Sequence, residues 1–451
     1  MSTLESKLEA IVGTAHLLTD PDVLVGWATD WTGRDRGAAR AVVRPGDADQ
    51  IAEVLNVCRA SGAPVTIHGG GTSLVSGTVP RRGDVLLSTS RLTEVGAVDP
   101  THKCVRVGAG TKLQTLRSLA AEHGLLFGVD LSARDSATIG GMVATNAGGL
   151  HTIRYGRTSE QMRGLEAVLP DGSIIKRFPR VPDDRSGLDL ASLFVGSEGV
   201  LGVVTAVEVA LRPRPRHRVT ALAGFAALED LVAAAVCLRD VPGVDALELL
   251  DGEGVRLASD RLGLACPVKA EWLLLAELAS DREQLVELAE LLAAAEVVEE
   301  PAISQDSVGR AKLWQVRESF AEVTKLFGPP TKFDLSLNFE SVAPFAADAA
   351  ALLAEQAPDA IPVLFGHIGV GNLHLNVLRC PDPSRVFGPM LDLIAEHGGN
   401  ISSEHGLGSL KRDYLSLARS PEEIAAMRSV KRAFDPDGYL NSAVLFPTAS
   451  E

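Results

Sequence analysis

Five cysteines in 451 residues, Cys58, Cys104, Cys237, Cys266 and Cys380, are too few and too scattered to build a structure on sulfur. No two form a CxxC pair and the count is odd, which argues against a disulfide framework or an iron–sulfur centre and fits a reducing compartment. Long apolar runs are missing as well. Runs such as 231–238 and 272–276 fall far short of the roughly 20 residues that cross a bilayer. The N-terminus carries Glu5, Glu9 and Asp20 and lacks the continuous apolar stretch of a secretory signal. Positive charge is in deficit, since 43 basic and 58 acidic residues leave a net −15, which opposes nonspecific binding to nucleic acid or anionic lipid. The expectation is a cytoplasmic protein without a transmembrane segment, peripheral at most at the inner face of a membrane. Any anionic substrate would need a local basic pocket.

What is present is apolar mass and tight turns. Apolar residues make up 46% of the chain, with 43 Gly and 24 Pro, enough to fill the two cores that a chain of this length expects. Period and turn signals predict strands at 41–43, 65–68, 85–87, 95–98 and 105–107, and helices at 47–60 and 111–123, the latter capped by Thr111. Asp171-Gly172 signals a hairpin, and 203–211 reads as a closing strand. The stretch Arg212-Pro213-Arg214-Pro215-Arg216 breaks helix and sheet alike and marks a domain boundary. Beyond it, strands at 219–222, 246–250 and 271–278 alternate with helices at 228–238 and 283–295, the rhythm of an antiparallel sheet with helices on one face, hence an α+β fold. A continuous helix is expected over 309–327, and another over 421–434.

Three glycine-rich segments lie before the boundary. His68-Gly69-Gly70-Gly71-Thr72-Ser73 follows a strand, so its backbone N–H groups and two hydroxyls can surround a phosphate, although a plain turn would explain it equally well. Thr138 to Gly149 is a run of small residues suited to close backbone packing or a large planar ligand. Gly196-Ser197-Glu198-Gly199-Val200-Leu201-Gly202 is a third tight turn. Together they suggest a dinucleotide.

Two segments beyond the boundary carry imidazoles. In Gly366-His367-Ile368-Gly369-Val370-Gly371-Asn372-Leu373-His374-Leu375-Asn376, His374 and Asn376 alternate by two on an expected strand and share a face. Ser403-Glu404-His405-Gly406 follows downstream. Two imidazoles, a carboxylate and an open position suit a catalytic divalent metal, zinc above all, whereas any one of these histidines alone could simply cap a turn. Arg317 offers a bidentate fork for a carboxylate, and Lys332, opening Lys332-Phe333-Asp334-Leu335-Ser336, could aim at the same point; either could equally be a solvated surface cation.

The glycine segments, in this order and spacing, resemble the flavin domain of the FAD-linked oxidase family related to vanillyl-alcohol oxidase. The imidazole motifs resemble its D-2-hydroxyglutarate, D-lactate and glycolate dehydrogenase branch. The resemblance implies a two-part FAD-binding domain over 1–212, an antiparallel-sheet substrate domain over 217–415 and a C-terminal helical segment over 416–451 that returns to the flavin domain. It implies non-covalent FAD contacts at Gly69, Gly70, Gly71, Thr72, Ser73, Thr138, Gly141, Asn146, Gly148, Val204 and Asn441. It further implies metal ligation by His367, His374 and Glu404, a substrate contact from Asn376, a carboxylate clamp of Arg317 and Lys332, and His405 as catalytic base. The reaction implied is oxidation of a D-2-hydroxy acid to the 2-oxo acid, with hydride passing to flavin N5 and electrons onward to an electron-transfer flavoprotein, a quinone or an iron–sulfur protein. A flavin subunit of a multi-subunit glycolate oxidase-type complex, or a non-redox binding protein on the same fold, are the rival expectations; a homodimer is an open possibility. Three positions depart from the family pattern: Val370 stands for an aspartate, Ala321 for a threonine and Ser442 for a proline.

Overall fold

In the computed structural model, which describes residues 3–446 except 82, 180, 182, 183 and 185, the chain divides into two compact units. One comprises residues 1–148, 157–213 and 405–451, the other residues 149–156 and 214–404. This division differs from the sequence-based boundaries at 149–156 and at 405–415. Residues 447–451 of the expected C-terminal segment lie outside the described residues.

The first unit starts from a small parallel sheet. Strand Ala41–Val43 pairs in parallel with Val85–Ser88, and that strand with Val65–His68, while Leu17–Leu18 adds an antiparallel edge. The crossover is the helix Ala48–Ala60, whose start is fixed by the Asp47 carboxylate accepting from the Gln50 N–H at 2.8 Å. Its apolar stripe of Ile51, Val54, Leu55 and Cys58 is fully buried, each large side chain contributing about 1.5–3 kcal/mol. This βαβ arrangement delivers His68 to the carboxyl end of a parallel strand, where ligands of open α/β sheets sit. On the outer side of Val65–His68, Val65 N–H donates to the Tyr439 carbonyl and Asn441 N–H to the Val65 carbonyl. The C-terminal segment thereby covers an edge that would otherwise expose unpaired backbone. A second, antiparallel sheet runs Cys104–Gly108, Val203–Ala210, Met162–Val168, Ile174–Arg177.

The second unit is built on a seven-stranded antiparallel sheet in the order Ala302–Ser304, His217–Phe225, Trp272–Ser280, Val244–Asp251, Ile361–His367, Asn372–Leu378, Thr331–Ser336. Its central strand, Val244–Asp251, is buried at every position, although Asp245, Glu248 and Asp251 are acidic. Asp251 caps the helix Gly252–Leu262 and accepts N–H groups of Gly254 (2.7 Å) and Leu364 (2.5 Å), yet burial raises its carboxyl to about 7. The folded chain therefore keeps a proton that the unfolded chain releases near pH 4. Stability from this group is full below that pH, falls as pH rises to about 7, and is level above. The stability deficit of Asp251→Asn, measured by urea unfolding, should shrink by about 3 kcal/mol between pH 5 and pH 8, at roughly 1.4 kcal/mol per unit over the two units below 7. An unchanged deficit would contradict the raised value.

Four local expectations are corrected. Residues 95–98 form no strand, only the single bridge Val95–Val107, with a second bridge, Asp99–Cys104, just beyond them. Helix Leu113–Glu122 starts after Lys112 rather than at a Thr111 cap. The expected helix over 309–327 is two, Ser307–Glu318 and Phe320–Val323, separated at Ser319, whose hydroxyl donates back to the Val316 carbonyl at 2.7 Å and competes with the helical ladder. Arg212–Pro213, expected to break the sheet, pairs with Leu125–Leu126. Among the described residues no helix is long and apolar enough to cross a membrane.

Candidate functional site

In the first unit the three glycine segments lie against one another. A Cβ on Gly70 would stand 2.2 Å from the Ser136 carbonyl oxygen, and one on Gly69 2.9 Å from the Thr138 hydroxyl. Gly196 N–H donates to Val143 O at 3.0 Å and Glu198 N–H to Ala144 O at 2.8 Å, which joins the third turn to the helix Ile139–Thr145. Thr138 caps that helix by accepting from Gly141 N–H, and Asn146 ends it in the left-handed conformation at φ 50°, its Oδ1 accepting from Ser159 N–H. Gly148 is buried close behind. Among the described residues, none of the backbone N–H groups of residues 69–73 donates to a backbone carbonyl. Donors gathered on small residues at the end of a parallel strand suit a pyrophosphate, so this donor set fits FAD.

Other expected flavin contacts are already engaged. Ser73 Oγ accepts from Val75 and Gly77 N–H. Asn441 accepts from Ile67 N–H with Oδ1 and donates to Glu198 O with Nδ2, both at 2.7 Å, so its amide straps the C-terminal segment to the sheet. Val204 is a core residue. Glu198, which the sequence reading passed over inside its glycine turn, accepts from Leu407 (2.9 Å) and Gly408 (2.8 Å) N–H groups. Burial raises its carboxyl against those bonds and the charge of Lys411. It thus holds the loop just after His405.

In the second unit, antiparallel register puts Lys332 opposite Asn376 and Asp334 opposite His374, so the four side chains share a sheet face. His367 ends the neighbouring strand, and its ring meets that of His374 at 90° with centroids 5.4 Å apart. Both imidazoles turn Nε2 toward one oxygen: Glu404 Oε1 lies 3.4 Å from His374 Nε2 and 3.8 Å from His367 Nε2. Both have a buried carboxylate on the Nδ1 side, Glu248 at 2.6 Å for His367 and Asp334 at 3.7 Å for His374. Asp334, His374 and Glu404 each offer a ligand atom within 4.8 Å of the others, a group that takes in Asp334 and leaves out His367 of the three expected ligands. Asp334 also accepts the backbone N–H groups of Ser403 and Glu404, both at 2.9 Å, and so fixes the loop that carries Glu404.

Burial would lower the His367 imidazole, but the charge and hydrogen bond of Glu248, with Glu404 behind them, hold it up at about 10. Burial in turn raises Glu248, and the charges of His367 and Arg317 outweigh that and hold it low. Nitrogen and carboxylate donors, with His367 hydrogen-bonded and His374 only ion-paired on the far nitrogen, form a set that fits a borderline divalent cation.

Arg317 is 5% exposed. Its Nε donates to Glu248 Oε2 at 2.5 Å, and its guanidinium lies 4.8 Å from the centroid of Phe365. His405 follows Glu404 directly and is half-buried. Val370 lies in the short turn Ile368–Val370 with its side chain 39% exposed. Ala321 is half-buried in Phe320–Val323. Glu248 and Asp334 are the residues of this site that sequence reasoning missed. Their only signal was an acidic residue recurring among apolar strand positions.

Comparison with known proteins agrees with this layout. Residues 39–177 match the FAD binding domain model and residues 214–445 the model of the FAD linked oxidases, C-terminal domain. The chain belongs to the FAD-linked oxidase family and is an oxidoreductase. It is 34% identical to D-2-hydroxyglutarate dehydrogenase of Xanthomonas citri pv. viticola, over 98% of this chain and 96% of that one. It is 33% identical to the mitochondrial D-2-hydroxyglutarate dehydrogenase of Bos taurus, over 98% and 83%. A putative mitochondrial D-lactate dehydrogenase of Schizosaccharomyces pombe is 31% identical over 94% and 84%. Among solved structures, p-cresol methylhydroxylase with substrate bound shares the fold at a TM-score of 0.82 and 16% identity, covering 99% of this chain and 97% of that one.

Proposed function

We propose that the protein oxidises a D-2-hydroxy acid, D-2-hydroxyglutarate-like or D-lactate-like, to the 2-oxo acid, with FAD and a divalent cation, zinc foremost. The names of the relatives support the substrate class. The observation that carries the reading is the convergence of two carboxylate-backed imidazoles on Glu404 Oε1. His367, His374 and Glu404 would hold the cation, and Gly69 to Ser73 with Thr138, Gly141, Asn146 and Gly148 would hold the flavin. When bound, the cation lowers the pKa of a substrate hydroxyl and the flavin accepts a hydride at N5.

The chain's own residues do the rest. Arg317 and Lys332 clamp a substrate carboxylate, and Asn376, opposite Lys332 in the register, contacts the substrate from the same face. His405 takes the hydroxyl proton. Fixing the acid on one face presents its α-hydrogen in a single direction, which selects one enantiomer. An electron-transfer flavoprotein, a quinone or an iron–sulfur protein would serve as the final electron acceptor.

The test is anaerobic bleaching of the flavin absorbance by paired D- and L-2-hydroxy acids, with and without chelator. D-selective bleaching that chelator abolishes is expected; bleaching by neither enantiomer would refute the proposal. Removing one arm of the clamp, Lys332→Met, should raise KM for the acid about 10- to 100-fold, the worth of one charge-assisted hydrogen bond. Steady-state kinetics with an unchanged KM would remove Lys332 from the site.

A further inference from the structure

The central strand Val244–Asp251 places one side chain, Glu248, between two parts of this site that are distant in sequence. Its side chain is fully buried. Its two oxygens are divided: Oε1 receives His367 Nδ1 at 2.6 Å, and Oε2 receives Arg317 Nε at 2.5 Å. We infer that Glu248 is a positioning residue that ties the substrate-carboxylate clamp to the metal-binding imidazole. The inference rests on the function proposed above and adds a residue that neither glycine nor histidine motifs contain.

Each bond has a definite effect. When the ring gives up one of its two protons to a cation, the bond from His367 Nδ1 to Glu248 keeps the other proton on Nδ1 and frees Nε2 as the lone-pair donor, on the side where Glu404 lies 3.8 Å away. Accepting from Arg317 Nε fixes the guanidinium plane, already packed on Phe365, and leaves its terminal amino groups for an anion. Backbone rigidity makes the link stiff: Leu249 and Leu250 next door are paired with Gly366 and Phe365 on one side, and Glu248 itself with Leu275 on the other. A carboxylate is required because both neighbours approach as donors. A glutamine has one acceptor and one donor end and can satisfy only one of them.

The test uses three variants of the full-length flavoprotein. Glu248→Leu removes both bonds, Glu248→Gln removes one, and Glu277→Gln is a control at a buried carboxylate on the neighbouring strand Trp272–Ser280 that pairs with Arg218 and Arg310. Zinc and cobalt affinity is measured by chelator competition, alongside KM, kcat, flavin content and melting temperature. Glu248→Leu should weaken metal binding roughly 10- to 100-fold and also raise KM about tenfold or more. Glu248→Gln should lose one property and largely keep the other. Glu277→Gln should lower the melting temperature without moving either affinity. If Glu248→Leu and Glu277→Gln melt alike and Glu248→Leu binds metal and substrate as the wild type does, Glu248 is merely a buried structural carboxylate and the inference is overturned. Should Glu248→Leu not fold, a Glu248→Gln variant with wild-type values for both affinities overturns it equally. A wild-type protein that takes up neither zinc nor cobalt would instead sink the reading of the site, and the metal half of this inference with it.

Discussion

Replacing His374 by alanine should leave a yellow protein that no longer turns over. The side chain supplies one of two imidazoles facing Glu404, and its nitrogen stands nearer that carboxylate than the nitrogen of His367 does, 3.4 against 3.8 Å. Without it, a cation would keep one imidazole and one carboxylate, fewer than the three protein ligands of a catalytic site. Losing a charge worth several kcal/mol in the transition state corresponds to roughly a 10³-fold or larger fall in kcat. The fold should survive, because Asp334 keeps its bonds to the N–H groups of Ser403 and Glu404. Metal analysis and the visible spectrum on one sample decide the matter: no metal, full flavin and no turnover are expected. Wild-type turnover would reject the mechanism.

The converse phenotype should follow from Gly70→Ala. The new methyl would have to occupy a point 2.2 Å from the Ser136 carbonyl oxygen and about 3 Å from the Ser136 carbonyl carbon and the Ala137 Cα. All three are backbone atoms, so no rotamer change relieves the clash and the glycine loop must move. Its displacement separates the donors that would wrap a pyrophosphate. Flavin occupancy of the purified protein should fall tenfold or more while metal content, which the proposed ligands of the other unit would set, stays normal. Gly26→Ala is the control. It lies in the helix Pro21–Trp27, where a Cβ meets nothing within 4 Å and the change should stabilise by roughly 0.5–1 kcal/mol. A fully yellow Gly70→Ala protein would place the flavin elsewhere.

Much of the architecture was legible because its signals are local. The helix Pro421–Phe434 has its proline at the first turn and a Ser420–Glu423 capping box, and the Asp171-Gly172 turn joins Met162–Val168 to Ile174–Arg177 in the expected hairpin. The imidazole pair was legible because alternation on a strand fixes a common face whatever the rest of the fold does. Glu248 and Asp334 were not. In a strand reading, an acidic residue among leucines marks the solvent side, and only a sheet covered on that side turns it into a buried partner. Which carboxylate backs which imidazole depends on strand order, with Val244–Asp251 beside Ile361–His367 although more than a hundred residues separate them in the chain. The break at Ser319 escaped for a different reason, since apolar periodicity runs on through Phe320 and Val323 and hides a hydroxyl that competes for the backbone.

The grip of Glu198 on the N–H groups of Leu407 and Gly408 has a practical consequence for engineering. Gly408 sits with φ 54° where a Cβ would come 1.9 Å from Val75 O, so the third glycine turn, the loop after His405 and the residues around Val75 form one interlocked piece. A chimera of two relatives that grafts the stretch 214–404 keeps that piece from a single parent. A graft ending at 415 mixes parents inside it and should give poorly folded hybrids.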